Sequence, residues 1–209
     1  MKVNLYIISF VGLTLFLFPF QRLSAQYYGE RNLSLGLSVN PNMSWLKFDN
    51  DKYTQDIKAG FSYGLVADIG FTPNYYFATG LQINTLNHRF TDEEIHDTKD
   101  LKIQYAEIPL ALKLKTDGNY LAKFYALFGF TAGIKLSAKE KINQESTYSK
   151  SSAADMFRLG LAMGAGAEWK VGYKHAVMTG LTFNNGFTRA HKKSSSKNPY
   201  LALNVGFLF

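Results

Sequence analysis

Six charged residues interrupt otherwise apolar or small-residue segments of this chain: Asp68, Glu107, Lys113, Lys135, Arg158 and Glu168. Three acids and three bases in such settings can line a polar path, or they can pair. Pairing is the expected outcome, because an unpartnered buried charge costs several kcal/mol, and a network of ion bridges inside a narrow interior removes that cost. Catalytic chemistry has thin support. The histidines are His88, His96, His175 and His191. Ser194, Ser195 and Ser196 follow His191, but neighbours in one loop do not make a triad; a base and an orienting carboxylate must converge on the nucleophile. The glycines recur at every second residue of apolar segments, unlike a phosphate-cradling loop. With no cysteine, disulfides, thiolate metal sites and a lipid-anchored cysteine are excluded. The expectation is a non-enzyme without cofactor or metal, a structural or assembly component that interacts through its loops. A small pore or ligand-binding barrel is the first alternative, and a lipid-modifying enzyme the second.

Two polar stretches carry charge. His88 to Asp100, HRFTDEEIHDTKD, concentrates Asp92, Glu93, Glu94, Asp97 and Asp100 without the ordered ligand spacing of a calcium loop, and reads as a solvated acidic loop. Thr188 to Lys197, TRAHKKSSSK, carries Arg189, Lys192, Lys193 and Lys197. It suits either plain solvation or pairing with the phosphates of lipopolysaccharide, and charge alone leaves the two readings level.

The elements that must hold these residues alternate with a period of two, the signature of strands. Leu33, Leu35, Leu37 and Val39 share one face, as do Phe61, Tyr63, Leu65, Ala67, Ile69 and Phe71, and then Tyr75, Phe77, Thr79, Leu81 and Ile83. The fourth segment runs through Leu101, Ile103 and Tyr105, then shifts phase to Ile108, Leu110, Leu112 and Leu114, which predicts a bulge over 106–109 beside Pro109. Four more segments follow, beginning at Phe124, Phe157, Val177 and Leu201. Glycines, the six charges and Lys115 fall on the face opposite the apolar residues. A soluble barrel would hide its apolar face; this arrangement predicts an eight-stranded antiparallel transmembrane up-and-down β-barrel, lipid outside and small or polar residues within.

Short turn chemistries at 72–74, 116–119 and 170–174 alternate with long polar connections near 41–58, 88–100, 137–155 and 188–198, the rim asymmetry of outer-membrane barrels. Aromatics gather near the short turns, including Tyr75, Phe124, Trp169, Phe207 and Phe209. The last strand, YLALNVGFLF, must close on the first so that no edge faces lipid. Its ending on Phe207 and Phe209 resembles the closure signal read by outer-membrane insertion machinery.

Residues 1–25 have an early Lys2, an apolar run to Phe20 and a small-residue end at Leu23-Ser24-Ala25, the layout of a cleaved secretory leader, leaving 26–209 as the barrel domain. The net charge is +7; loss of Lys2 and Arg22 with the leader leaves about +5. An exported basic chain meets lipid phosphates before it meets nucleic acid, which neither fold nor compartment favours.

The stretch Gln104-Tyr105-Ala106-Glu107-Ile108-Pro109-Leu110, followed by alternating leucine and lysine, resembles the Y-x-E-I-P-L strand of the PorT-like outer-membrane β-barrel proteins of Bacteroidota. The leader ending Ala-Gln, the Gly-Leu strands and the terminal phenylalanine extend the resemblance along the whole chain. It implies an eight-stranded outer-membrane barrel, and its name-giving member is associated with type IX secretion. Secretion-system proteins thus join lipopolysaccharide and the insertion machinery as expected partners. No catalytic residue carries over.

Overall fold

In lipid every backbone amide must find its partner within the protein, and eight strands solve this by closing on themselves. The structure, a computed structural model, describes residues 33–45, 47–48, 53–92, 97–117, 121–142, 149–150, 155–172, 174–187 and 196–209. The leader read over 1–25 lies outside the described residues. The barrel strands are β1 (Leu33–Ser44), β2 (Lys58–Gly70), β3 (Tyr75–Asp92), β4 (Asp97–Lys115), β5 (Ala122–Ile142), β6 (Phe157–Val171), β7 (His175–Gly186) and β8 (Tyr200–Leu208). Each pairs antiparallel with the next, and β8 returns to β1 with Val39 opposite Val205 and Ser44 opposite Tyr200. The ladder reaches the last residue: the Phe209 amide donates to the Leu35 carbonyl at 2.8 Å.

The outer face is the apolar one. Leu37, Leu65 and Leu203 are 57%, 54% and 47% exposed, while the inward neighbours Ser38, Asn40 and Ala202 are buried. Such an outer surface is solvated by hydrocarbon. Short turns close one rim. Between β2 and β3 the Tyr75 amide donates to the Thr72 hydroxyl and the Tyr76 hydroxyl to the Pro73 carbonyl, 3.2 and 3.1 Å. Between β6 and β7, Gly172 takes a φ of +73°, a conformation that costs glycine little. Phe71, Tyr75, Phe124, Trp169 and Phe207 stand outward near this rim, the last stacked on His175 at 5.4 Å.

At the loop rim three expectations are corrected. Parts of the expected long connections are strand: β3 runs to Asp92, β4 starts at Asp97 and β5 reaches Ile142, while Tyr53–Asp56 pairs with the end of β3. No bulge occurs at 106–109. The pairing of β4 with β3 keeps one offset from Leu114 to Asp97, and inward positions recur at every second residue from Leu101 to Lys115. The register shift lies on β5 instead, where Gln104 opposes Ser137 but Tyr105 opposes Lys135, leaving Leu136 as the extra residue. Leu101, Ile103 and Tyr105 therefore face the bore rather than lipid. They cluster there with Leu86, Ala138, Tyr200 and Ala202. The apparent phase shift is a change of solvent. Above the lipid the outer face meets water, so Asn87, Lys102 and Lys139 point out, apolar side chains turn in, and the barrel becomes patterned like a soluble one.

Glycines make room for the aromatic rings inside. Gly166 and Gly180 face each other across β6 and β7, and Tyr125 lies over both; a Cβ at either would overlap its hydroxyl. Gly166→Val and Gly180→Val are each expected to destabilise the barrel by about 1–3 kcal/mol through overpacking. The check is the temperature at which the folded band on a denaturing gel shifts to the unfolded mobility; unchanged midpoints would contradict this packing.

Candidate functional site

The inward charges of β2, β4 and β6 meet near the turn rim. Lys113 Nζ lies 2.7 Å from Asp68 Oδ2 and 2.6 Å from Glu168 Oε1; Lys115 Nζ lies 2.9 Å from each of the same two oxygens. Two ammonium groups and two carboxylates thus form a closed, neutral quartet, with all four side chains buried. The strands it joins are not neighbours, so it ties the wall together across the bore. The Lys113 ammonium sits 4.4 Å from the centre of the Tyr125 ring, and Lys115 sits 4.0 Å from that of Tyr76, which adds cation–π stabilisation to the ion pairs. Lys115, on the same inward alternation as Lys113, was not among the expected network residues, yet as the last residue of β4 it completes the quartet.

A second layer lies nearer the loops. Arg158 on β6 donates to Glu107 Oε1 on β4 at 3.1 Å, to Asn184 Oδ1 on β7 at 2.6 Å, and to the side-chain and backbone oxygens of Asn198 at 3.3 and 3.2 Å. Glu107 Oε2 accepts from Asn84 on β3 and from the Tyr200 hydroxyl on β8, both at 3.2 Å. Asn42 on β1 donates to Asn84 Oδ1 at 3.1 Å, and Asn184 to the Thr131 hydroxyl on β5 at 2.9 Å. Seven of the eight barrel strands contribute a side chain. Lys135 takes the inward position next toward the loop rim from Gly133 and is half-buried. The six expected charges therefore divide: Asp68, Lys113 and Glu168 in the quartet, Glu107 and Arg158 in the second layer, Lys135 above it.

The amides of Asn42, Asn184 and Asn198 escaped the sequence reading, and Asn84 was read only as an inward polar position. Their mark was faint: Asn40 and Asn42, like Thr182 and Asn184, are polar at alternate positions of strands whose other face is apolar. Between the two layers lies a cavity of about 90 Å³ bordered by Ser38, Asn40, Ser62, Thr182 and Asn204. Above the second layer sits the apolar cluster around Ile103 and Tyr105. The two polar layers thus plug the bore, and the apolar cluster packs above them.

The residues expected at Glu93, Glu94, His96, Arg189, His191, Lys192, Lys193, Ser194 and Ser195 lie outside the described residues. His88 is buried in the loop-side extension, and neither ring nitrogen has a partner among the described residues. Burial, followed by the nearby Arg158 guanidinium, pushes its pKa from 6.5 down to about 3. On the outside, Arg89 donates to both oxygens of Asp100 at 2.6 and 2.8 Å and holds that carboxyl below its ordinary value.

A family described as outer membrane protein beta-barrel domain matches residues 21–192. The chain belongs to that family. This outer membrane barrel accordingly resides in the outer membrane. No curated protein matches the sequence. Among solved structures, OprG of Pseudomonas aeruginosa is 13% identical, with 84% of this chain and 93% of that one covered and a TM-score of 0.50. Neisserial surface protein A is 13% identical, covering 85% and 97% at a TM-score of 0.45. The attachment invasion locus protein Ail of Yersinia pestis is 16% identical, covering 86% and 100% at a TM-score of 0.43. At these identities the likeness concerns the fold.

Arg158→Met is expected to strand the Glu107 carboxylate and cost about 3–5 kcal/mol, whereas Arg158→Met combined with Glu107→Gln should recover a large part of that loss. Urea unfolding of the refolded barrel reads both. His88 supplies a pH test. Its folded pKa lies below the unfolded value, so its stabilising effect is complete above 6.5 and is lost as pH falls toward about 3. His88→Leu should flatten the stability profile across that window; an unaltered slope would show that the imidazole is not held neutral.

Proposed function

We propose that this barrel is a sealed, non-enzymatic platform that anchors an interaction surface at the cell surface. The observation that carries the reading is the second layer, in which Arg158 and Glu107 join side chains from seven strands and fill the bore. Every charge in both layers faces an opposite one, so no acid or base is left poised for proton transfer there. The interaction surface is the loop side of the barrel, including the extension of β3, β4 and β5 above the lipid. Its partners are the outer-leaflet lipopolysaccharide and, following the PorT resemblance of residues 104–110, proteins of a type IX-like secretion pathway. The insertion machinery would read β8 through Phe207 and Phe209, both outward on the strand that closes the barrel.

The cavity of about 90 Å³ between the layers favours one competing reading, a small pore whose two plugs part. Planar bilayers separate the two. The sealed platform should give no discrete conductance steps, and reproducible steps that change with Arg158→Met would replace it with the pore. The secretion role is tested by deleting the gene and comparing exported and surface-anchored proteins with the parent strain. Loss of a cargo set would support it. An unchanged secretome with normal amounts of other outer-membrane proteins would end it.

A further inference from the structure

The outer face of the loop-side extension sets two cations directly against each other. Lys102 on β4 and Lys139 on β5 are register partners, directly opposite and both exposed. Like charges directly opposite on neighbouring strands destabilise a sheet. Neither Lys102 nor Lys139 pairs with an acid among the described residues. An anion held between them would reverse the sign of that interaction.

The surface around them is shaped to take one. Thr85, Lys102, Gln104, Ser137 and Lys139 border a recess of about 180 Å³, which places two ammonium groups, two hydroxyls and an amide around one space. Lys102 also borders a second recess of about 270 Å³, with Lys58, Asn87 and Arg89. The one acid there, Asp100, is already held by Arg89. The height of the first recess identifies the source of the anion. Its Thr85 edge is the register partner of Phe61, whose ring lies 6.2 Å from that of Tyr63, and the next outward residues below are Ile83 and Leu136. Amphipathic aromatics mark the boundary of a bilayer. A phosphate in this recess would therefore sit at headgroup height with acyl chains along the apolar wall beneath.

We propose that Thr85, Lys102, Gln104, Ser137 and Lys139 form a binding site for the phosphate-bearing headgroup of an outer-leaflet lipid. Charge-assisted hydrogen bonds from two ammonium groups supply the affinity, and the hydroxyls and the amide complete the shell. The site lies on the barrel's outer wall and is separate from both plugs. It follows from residence in the outer membrane and does not depend on the secretion role, so each can fail alone.

The test uses the purified full-length barrel in detergent, with retained lipid counted by native mass spectrometry. The probes are a phosphorylated lipid A and its phosphate-free form with the same acyl chains. The wild-type protein should hold the phosphorylated lipid about tenfold more tightly, the scale of lost charge-assisted contacts. Lys102→Gln with Lys139→Gln should abolish that preference while leaving the heat-shifted gel mobility intact, and Lys102→Arg with Lys139→Arg should retain it. Lys139→Gln alone, expected to lose part of the preference, serves if the double variant folds poorly. Equal retention of the two lipids by wild type overturns the site. So does displacement of the lipid by inorganic phosphate or a sulfated polysaccharide as efficient as displacement by free lipid A, since the recess would then read anions without regard to acyl chains.

Discussion

A charge inside an eight-stranded barrel in a membrane has little water to turn to. Lipid lies beyond the wall, and the bore is only as wide as the side chains that fill it. Every inward acid or base must find its opposite from another strand, at the height where that strand happens to present it. Arg158 and Glu107 meet this demand at the middle of the bore, and Lys113 and Lys115 meet it twice over against Asp68 and Glu168. The register of the whole barrel follows. A one-residue slip of β4 against its neighbours would turn Glu107 and Lys113 into lipid and strand their partners inside.

The same demand explains the distribution of small residues. Tyr76, Tyr125 and Tyr200 occupy the bore because their rings flank the ammonium and guanidinium groups, and rings of that size fit only where the facing wall lacks a Cβ. Gly70 under Tyr76, and Gly166 with Gly180 under Tyr125, are the counterparts of those rings. Charge, ring and glycine therefore form one unit of design across strands. The consequence for function is a bore filled in layers, which moves interest from the inside of the barrel to the part that rises above the lipid.

That upper part obeys a different solvent. Leu86, Leu101 and Ile103 are almost wholly buried inside, whereas Leu35 and Leu65 a few residues lower on other strands are exposed to lipid. The bulge at Leu136 lets β5 take part in the exchange, because an extra residue swaps which positions face inward. On the outside, the swap places lysines where leucines would otherwise be, beside the headgroups.

The alternation of Leu33 to Val39, Phe61 to Phe71 and Leu201 to Phe209 was enough by itself to determine an all-β barrel with its apolar face outward, because a period of two has only one structural meaning over eight segments. The inward placement of Asp68, Glu107, Lys113, Arg158 and Glu168 was legible for the same reason. Which of them pair was not, since partners sit on strands far apart in the chain and their heights depend on stagger and tilt. The chain order of residues 101–110 misled in one respect: polarity marks the face of a strand only when the solvent on each side is known, and tertiary structure alone decides where lipid ends and water begins.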